Sequence, residues 1–353
     1  MAVSINDIAK ALNISKSTVS RALRDHPDLK KATKQLVIAK AQELGYEPNS
    51  IAKALSTRQT FVIGVILPHI RHTFFAEALN GIEDYLREKG FSLLIASSNE
   101  DDEQELQNIK NLISKRVDGM LISISSQTNE HKRFELIEKQ KIPFVFFDRI
   151  IDHATVPAVT VDHNEINRLI LSHLKESGAN DIVHLAGPLQ GIVGKRRLEA
   201  FKTAAMAVGL DITDNKIIKG NLSENAGKRG LKSIMSNGSL PDAISTSASM
   251  QALGIMQEAR QNNIHIPYDL LLTGYHVTPV TELVYPRITG VQFSIYDMGY
   301  MAAQLLLEQI SNSSSVRPET IHIPVKLLIR ESSQTKKIES NKGPHTEHVR
   351  AGM

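Results

Sequence analysis

The stretch "INDIAKALNISKSTVSRAL", residues 5–23, decides the reading of this chain. Ile5, Ile8, Ala9 and Leu12 recur at i, i+3, i+4 and i+7, which sets four apolar side chains on one side of a helix. Ser4 stands at the N-cap, and Asp7 puts a carboxylate in the first turn, where the helix dipole favours it. Asn13 tolerates the left-handed backbone that ends a helix. Ser15 can cap a second helix over "KSTVSRAL", with Val19, Ala22 and Leu23 turned inward. Two short helices joined by a turn of about four residues make a helix-turn-helix. A third helix is expected from about Thr33, with Val37, Ala41 and Leu44 inward and Gly45 as its stop.

The second helix carries an unusual outer face. Lys16, Ser17, Thr18, Ser20 and Arg21 are short hydrogen-bond donors and cations gathered in its N-terminal half. Such side chains, on a helix of this kind, reach base edges and phosphates in the DNA major groove. Charge agrees. Residues 1–60 hold ten Lys/Arg against five Asp/Glu, a net +5, whereas the rest of the chain holds 31 against 33, a net −2. A basic head on a slightly acidic body suits a module that binds a polyanion. After Gly45-Tyr46 comes "EPNSIAKALSTRQT", in which Pro48 breaks the helix and Asn49 or Ser50 caps a further one. Its apolar stripe is Ile51, Ala52, Ala54 and Leu55. So short a helix is marginal alone in water. It is expected to fold on DNA, with Leu55 wedged between base steps in the minor groove.

From Phe61 the pattern changes to apolar runs that alternate with amphipathic stretches. The runs are "FVIGVILP", "FSLLIASS", "GMLISIS", "FVFFD", "AVTVD", "IVHLAG", "AIST", "LLLTGY" and "ITGVQF", with helices such as 74–89 and 103–115 between them. Buried strands alternating with helices imply parallel, doubly wound sheets. Two sets, divided near Val161-Asp162, imply two lobes around a ligand cleft. The fold class is therefore a small all-α helix-turn-helix domain followed by α/β. Ligands in such folds lie at the carboxyl ends of strands. The segments that matter are then 68–75, 148–149, 187–197, 247–250 and 275–279.

The 353 residues are 41% hydrophobic and 22% charged, with no cysteine. That excludes a disulfide framework and thiolate chemistry. No apolar run approaches the ~20 residues that span a bilayer, and "MAVSINDIAK" lacks a signal core, so a cytoplasmic protein with no membrane partner is expected. "GPLQGIVGKR" looks like a phosphate loop, but Gly187, Gly191 and Gly194 miss the Walker spacing. His69 and His72 have no third metal ligand at sensible spacing, and no catalytic constellation stands out, so no metal, cofactor or enzyme activity is expected. A solute-binding protein without a regulatory role, or a carbohydrate-processing α/β enzyme using Asp148 and Asp162, are the alternatives.

"INDIAKALNISKSTVSRAL" followed by "ELGYEPNSIAKAL" resembles the DNA-binding head and hinge of the LacI/GalR family of transcription regulators. "IGVILPHIRHTFFAEALNGIE", "KRVDGMLIS", "IPFVFFDR" and "MGYMAAQLLLEQI" are similar to that family's periplasmic-binding-protein-like core. The resemblance implies an allosteric repressor that binds double-stranded, pseudo-palindromic operator DNA as a homodimer, with a small effector between its lobes. It implies a DNA-binding domain over 1–47, a hinge over 48–60 and a core over 61–331, while 332–353, polar and without apolar periodicity, reads as a disordered tail. By the same matching, Lys16, Ser17 and Arg21 read bases, Leu55 with Ala52 enters the minor groove, and Ser15, Thr18, Thr33 and Asn49 contact the DNA backbone. The effector-binding set is His72, Phe74, Asp148, Arg197, Ser249 and His276.

Several positions depart from the family. Asn13 stands where it usually has glycine, a mild exchange. In the cleft, Ala248-Ser249 replaces an Asn-Asp pair, His276 an aspartate and Phe293 a glutamine. Paired carboxylates and amides bind sugar hydroxyls, so their loss disfavours a simple neutral sugar. Arg197 with His72 and His276 would suit an anionic effector, a sugar acid or sugar phosphate.

Overall fold

The computed structural model describes residues 3–46, 59–71, 73–151, 156–311 and 319–334. It divides into two units, Met1–Thr60 and Phe61–Met353. The expected hinge helix, with Asn49, Ala52 and Leu55, lies outside the described residues, as does His72.

In the first unit three helices form where local signals place them: α1 (Ile5–Leu12), α2 (Lys16–Leu23) and α3 (Lys31–Glu43). Ser4 and Asp7 close a capping box on α1, with the Ser4 N–H donating to Asp7 Oδ2 at 2.9 Å. Asn13 takes the left-handed conformation at φ 51°. Ser15 Oγ accepts from the Thr18 N–H at 3.0 Å and caps α2. Ile8, Ala9, Val19, Ala22, Val37 and Ala41 are buried together as the core of this unit. The third helix begins two residues before Thr33, at Lys31, so Thr33 sits inside its first turn. Lys34 pairs with Asp25 at 2.7 Å and ties the α2–α3 loop to α3.

The second unit holds two six-stranded sheets. Chain order is β1 (Val62–Leu67), α4 (Thr73–Glu88), β2 (Ser92–Ser97), α5 (Asp102–Ser114), β3 (Gly119–Ile122), α6 (Glu135–Lys139), β4 (Phe144–Phe147) and β5 (Ala158–Thr160). There follow α7 (His163–Glu176), β6 (Ile182–Ala186), α8 (Ile192–Ala207), β7 (Ile217–Lys219), α9 (Glu224–Ser236), β8 (Ala243–Thr246) and α10 (Ser249–Gln261). The last elements are β9 (Leu271–His276), α11 (Pro279–Leu283), β10 (Thr289–Gln292), α12 (Ile295–Ser311), β11 (Thr320–His322) and β12 (Lys326–Leu328). The first sheet runs β11-β5-β4-β3-β1-β2 and the second β12-β10-β9-β8-β6-β7. The central strands are buried throughout, as their continuous apolar runs require.

All nine expected strands form, and the division at Val161-Asp162 marks the first passage between lobes. The layout is nevertheless not two consecutive halves. After β10 the chain returns to the first lobe, where α12 packs on α4 and β11 extends the first sheet, before β12 rejoins the second. Strands β7, β11 and β12 escape sequence reading because they are short, partly exposed sheet edges without a continuous apolar run, unlike the equally short but buried β5. Among the described residues one pair, β10 with β12, is antiparallel.

The polar stretch expected to be a disordered tail from Ser332 starts otherwise. Ser332 and Ser333 are fully buried. Ser332 Oγ donates to the Leu272 carbonyl at 2.6 Å and accepts from the Thr289 N–H at 2.9 Å. The Ser332 hydroxyl satisfies buried backbone groups and that of Ser333 meets His173 Nε2 and Thr289 Oγ1, so the core extends past residue 331. Residues 335–353 lie outside the described residues.

Candidate nucleic-acid interface and ligand cleft

On the first unit, Lys16, Ser17 and Arg21 are exposed on one side of α2, while Val19 and Ala22 face the core on the other. Thr18 and Thr33 are half-buried. Ser15 Oγ lies 2.7 Å from both Ser17 Oγ and Thr18 Oγ1, so three hydroxyls cluster at the helix start. The positive end of the helix dipole points out through this cluster, beside Lys16. The face is compact, donor-rich and free of carboxylates, which suits a polyanion.

The cleft of the second unit gathers residues from strand ends in both lobes. Asp148 follows β4 in the left-handed conformation, φ 56°, and is buried. Thr160 Oγ1 donates to its carbonyl at 2.7 Å and holds that turn. From the second lobe, Arg197 on α8 lies 5.2 Å over the Tyr275 ring, and its Nε is buried without a hydrogen-bond partner. Tyr275 bonds His163 Nδ1 at 2.6 Å. Burial pushes the Tyr275 phenol well above its usual range, helped by the charges of Asp148 and Asp162 and opposed by Arg197. His163 is driven the other way, first by burial and then by the Arg197 and Arg196 charges, and stays neutral.

Three aromatic rings line the cleft between the lobes. Phe74 meets His276 edge-on at 6.2 Å and Phe293 at 6.4 Å, while His276 and Phe293 lie 4.3 Å apart. His276 Nδ1 is 3.1 Å from the Val291 carbonyl, and Ser249 Oγ donates to the His276 carbonyl. The structure thus brings Phe74, Ser249 and His276 into one neighbourhood, and the charges of Asp148 and Arg197 meet at Tyr275. His72 lies outside the described residues.

Sequence reading missed His163 and the carboxylates Glu100 and Glu105. Glu105 carried a legible signal. It stands on the α5 face that also buries Asn108, Ile109 and Leu112, where an acid must find partners. It accepts from the Ser125 N–H at 2.6 Å and Thr128 Oγ1 at 2.9 Å. Burial still raises its pKa against the lowering effect of those bonds and of Arg133. Among the described residues no group of three or more His, Cys, Asp or Glu could hold a metal ion, and no helix is long and apolar enough to cross a membrane.

A helix-turn-helix followed by a two-lobed, cleft-bearing α/β core defines a transcription regulator of ligand-responsive architecture. Residues 4–49 match the model of "Bacterial regulatory proteins, lacI family", and residues 60–331 match "Periplasmic binding proteins and sugar binding domain of LacI family". The chain belongs to the LacI family. It is a DNA-binding regulator and not an enzyme. It is 28% identical over 335 residues to catabolite control protein A of Priestia megaterium, covering 95% of this chain and 100% of the relative. Catabolite control protein A of Staphylococcus aureus is 29% identical over 321 residues, covering 91% of this chain and 96% of that protein. Among solved structures, the lac repressor dimer bound to operator and the anti-inducer ONPF superposes with a TM-score of 0.85 at 22% identity, covering 95% and 100% of the two chains. The CelR–cellobiose complex gives 0.71 at 22%, covering 94% and 99%.

Proposed function

We propose that this chain is a cytoplasmic repressor that binds pseudo-palindromic operator DNA as a homodimer and releases or grips it according to a small molecule in the cleft. The observation that carries the reading is the exposed row of Lys16, Ser17 and Arg21 on a helix whose other side is locked into a core. In this reading those three side chains read base edges, while Ser15, Thr18, Thr33 and Asn49 hold the DNA backbone. Ala52 and Leu55 enter the minor groove. The operator and the dimer of the lac repressor structure support this, as does the cellobiose of the CelR complex for a carbohydrate-like ligand.

The effector is read as a sugar acid or sugar phosphate. The buried Nε of Arg197, without a partner, supports an anionic group there. Asp148, Ser249 and His276 would orient it, with Phe74 as an apolar wall and His72 near the mouth. Genome-wide footprinting tests the first part: protected sites should be two-fold symmetric, and protection at them should weaken in Arg21→Ala. Calorimetric titration with sugar acids and sugar phosphates, with Arg197→Ala as control, tests the second. Binding of neutral sugars alone would overturn the anionic reading.

A further inference from the structure

The lobes of the core meet at the loop that follows β3. Residues 123–128 follow β3 at the carboxyl edge of the first sheet. The Thr128 carbonyl accepts from the Ile192 N–H, the first residue of α8 in the second lobe, at 3.1 Å. Gly191 lies so close that a Cβ there would come within 1.9 Å of the Ser126 carbonyl oxygen. Val193 completes the junction by joining the apolar cluster of the first lobe.

Two carboxylates fix this loop from below. Glu105 takes Ser125 and Thr128, as described. Glu100 accepts from the Ser126 N–H at 2.7 Å and from Arg149 Nη1 through both oxygens, at 2.8 and 2.9 Å. The chain adopts costly backbone to place it: Asn99 and Glu100 are consecutive left-handed residues, at φ 52° and 61°. Arg149 in turn follows the left-handed Asp148 in the cleft, stands 3.9 Å from its carboxylate, and lies 5.9 Å over the Phe75 ring.

We infer that Glu100 is a positioning residue that couples Arg149, in the cleft, to the contact between the lobes. Glu100 does two things with one carboxylate: it neutralises Arg149 and it holds Ser126. A ligand that draws Arg149 away leaves a largely buried carboxylate without its counter-charge. That carboxylate must then turn toward water or take a proton, and either change weakens its hold on the Ser126 N–H. The loop loosens, and Thr128 and Gly191 no longer meet the second lobe in register. The inference rests on the cleft reading for what moves Arg149, but its test needs no ligand.

The test is amide hydrogen exchange on the full chain. Glu100→Gln and Arg149→Gln should each speed exchange at Ile192 by about tenfold or more, the loss expected when a charge-assisted contact goes. Amides of β3 and β4 should keep their protection, and Arg149→Lys should fall between wild type and Arg149→Gln. The double variant should exchange no faster than the worse single one, because both act through one contact. Unchanged Ile192 exchange in both single variants, or equal acceleration across β3 and β4, overturns the inference. If the glutamine variants fail to fold, Arg149→Lys carries the test through spin labels. The chain has no cysteine, so Glu130→Cys and Lys195→Cys give one labelled pair across the junction. A distance distribution unchanged by Arg149→Lys then overturns it. Failure of the effector reading would show separately, as absent calorimetric binding with this exchange pattern intact.

Discussion

Three histidines are buried where a charge cannot follow. His184 stacks on Phe201 at 3.8 Å with Nε2 3.1 Å from Ser247 Oγ, and burial drives its pKa down to about 3. His173, bonded to Ser333 Oγ at 2.7 Å, is lowered by burial against the opposing charge of Glu176. His163 is lowered well below its usual value. Each holds its neutral form to lower pH in the fold than in the unfolded chain, which takes up these protons below about pH 6.5. Their stabilisation is therefore complete above that pH and is lost as pH falls below it, toward about pH 3 for His184. Each imidazole that is protonated only in the unfolded chain contributes a slope of about 1.4 kcal/mol per pH unit. Urea unfolding at pH 7.5 and 5.5 should show the loss; equal stabilities would mean that these imidazoles are not held neutral. Arg21, also a matter of one side chain, behaves differently. Arg21→Ala should cost about 1–3 kcal/mol of operator affinity and relax sequence preference, measured by mobility shift on a set of operator variants. An equal loss on every sequence would make Arg21 a phosphate contact instead.

Helices meet in the core through glycine. A Cβ on Gly81 of α4 would lie 2.1 Å from the Tyr296 carbonyl oxygen of α12, and one on Gly299 of α12 would lie 2.0 Å from that of Ala78. The two backbones approach more closely than any side chain permits, and Tyr296 donates to Asp84 at 3.0 Å across the same pair. The same device recurs in the second lobe, between Gly227 of α9 and Gly254 of α10. Gly299→Ala should cost about 1–3 kcal/mol, the usual penalty of overpacking, and lower the unfolding temperature. An unchanged midpoint would show that α4 and α12 can part freely. Gly191→Ala asks a different question of the junction between lobes. The added methyl would meet the Ser126 carbonyl, a backbone atom, so the lobes should separate there while each keeps its own secondary structure. Small-angle scattering should report an expanded core with unchanged circular dichroism; an unexpanded core would mean the loop gives way instead.

At the scale of the whole molecule, a head with three short helices offers few contacts, and affinity must come from pairing two of them. A two-fold dimer then demands half-sites centred about one helical turn apart or a multiple of it. Operator binding should weaken steeply with salt, since each neutralised phosphate contributes a slope near −0.9 in log affinity against log salt. Lys16→Ala should flatten that slope by about one if its ammonium sits on a phosphate. An unchanged slope with lost sequence preference would place it on a base.

The sequence by itself determined the head and the class of the body. Ser4, Asn13 and Ser15 act within one helical turn of themselves, and the spacing of Ile8, Val19 and Val37 fixes which faces meet, so those helices are legible without tertiary information. The long apolar runs likewise announce buried parallel strands. The meeting of Phe74, Ser249 and His276 was foreshadowed too, since each lies in a segment that ends or follows a strand. Only the tertiary structure decided the rest. The return of α12 and β11 to the first lobe rests on contacts between segments far apart in sequence, such as Gly81 with Tyr296 and Thr320 with Ala158. Glu100 finds Arg149 49 residues away, and Ile192 finds Thr128 across the lobes. Periodicity reports which residues share a face of one element; which faces then meet is set by register and by how closely two backbones can approach.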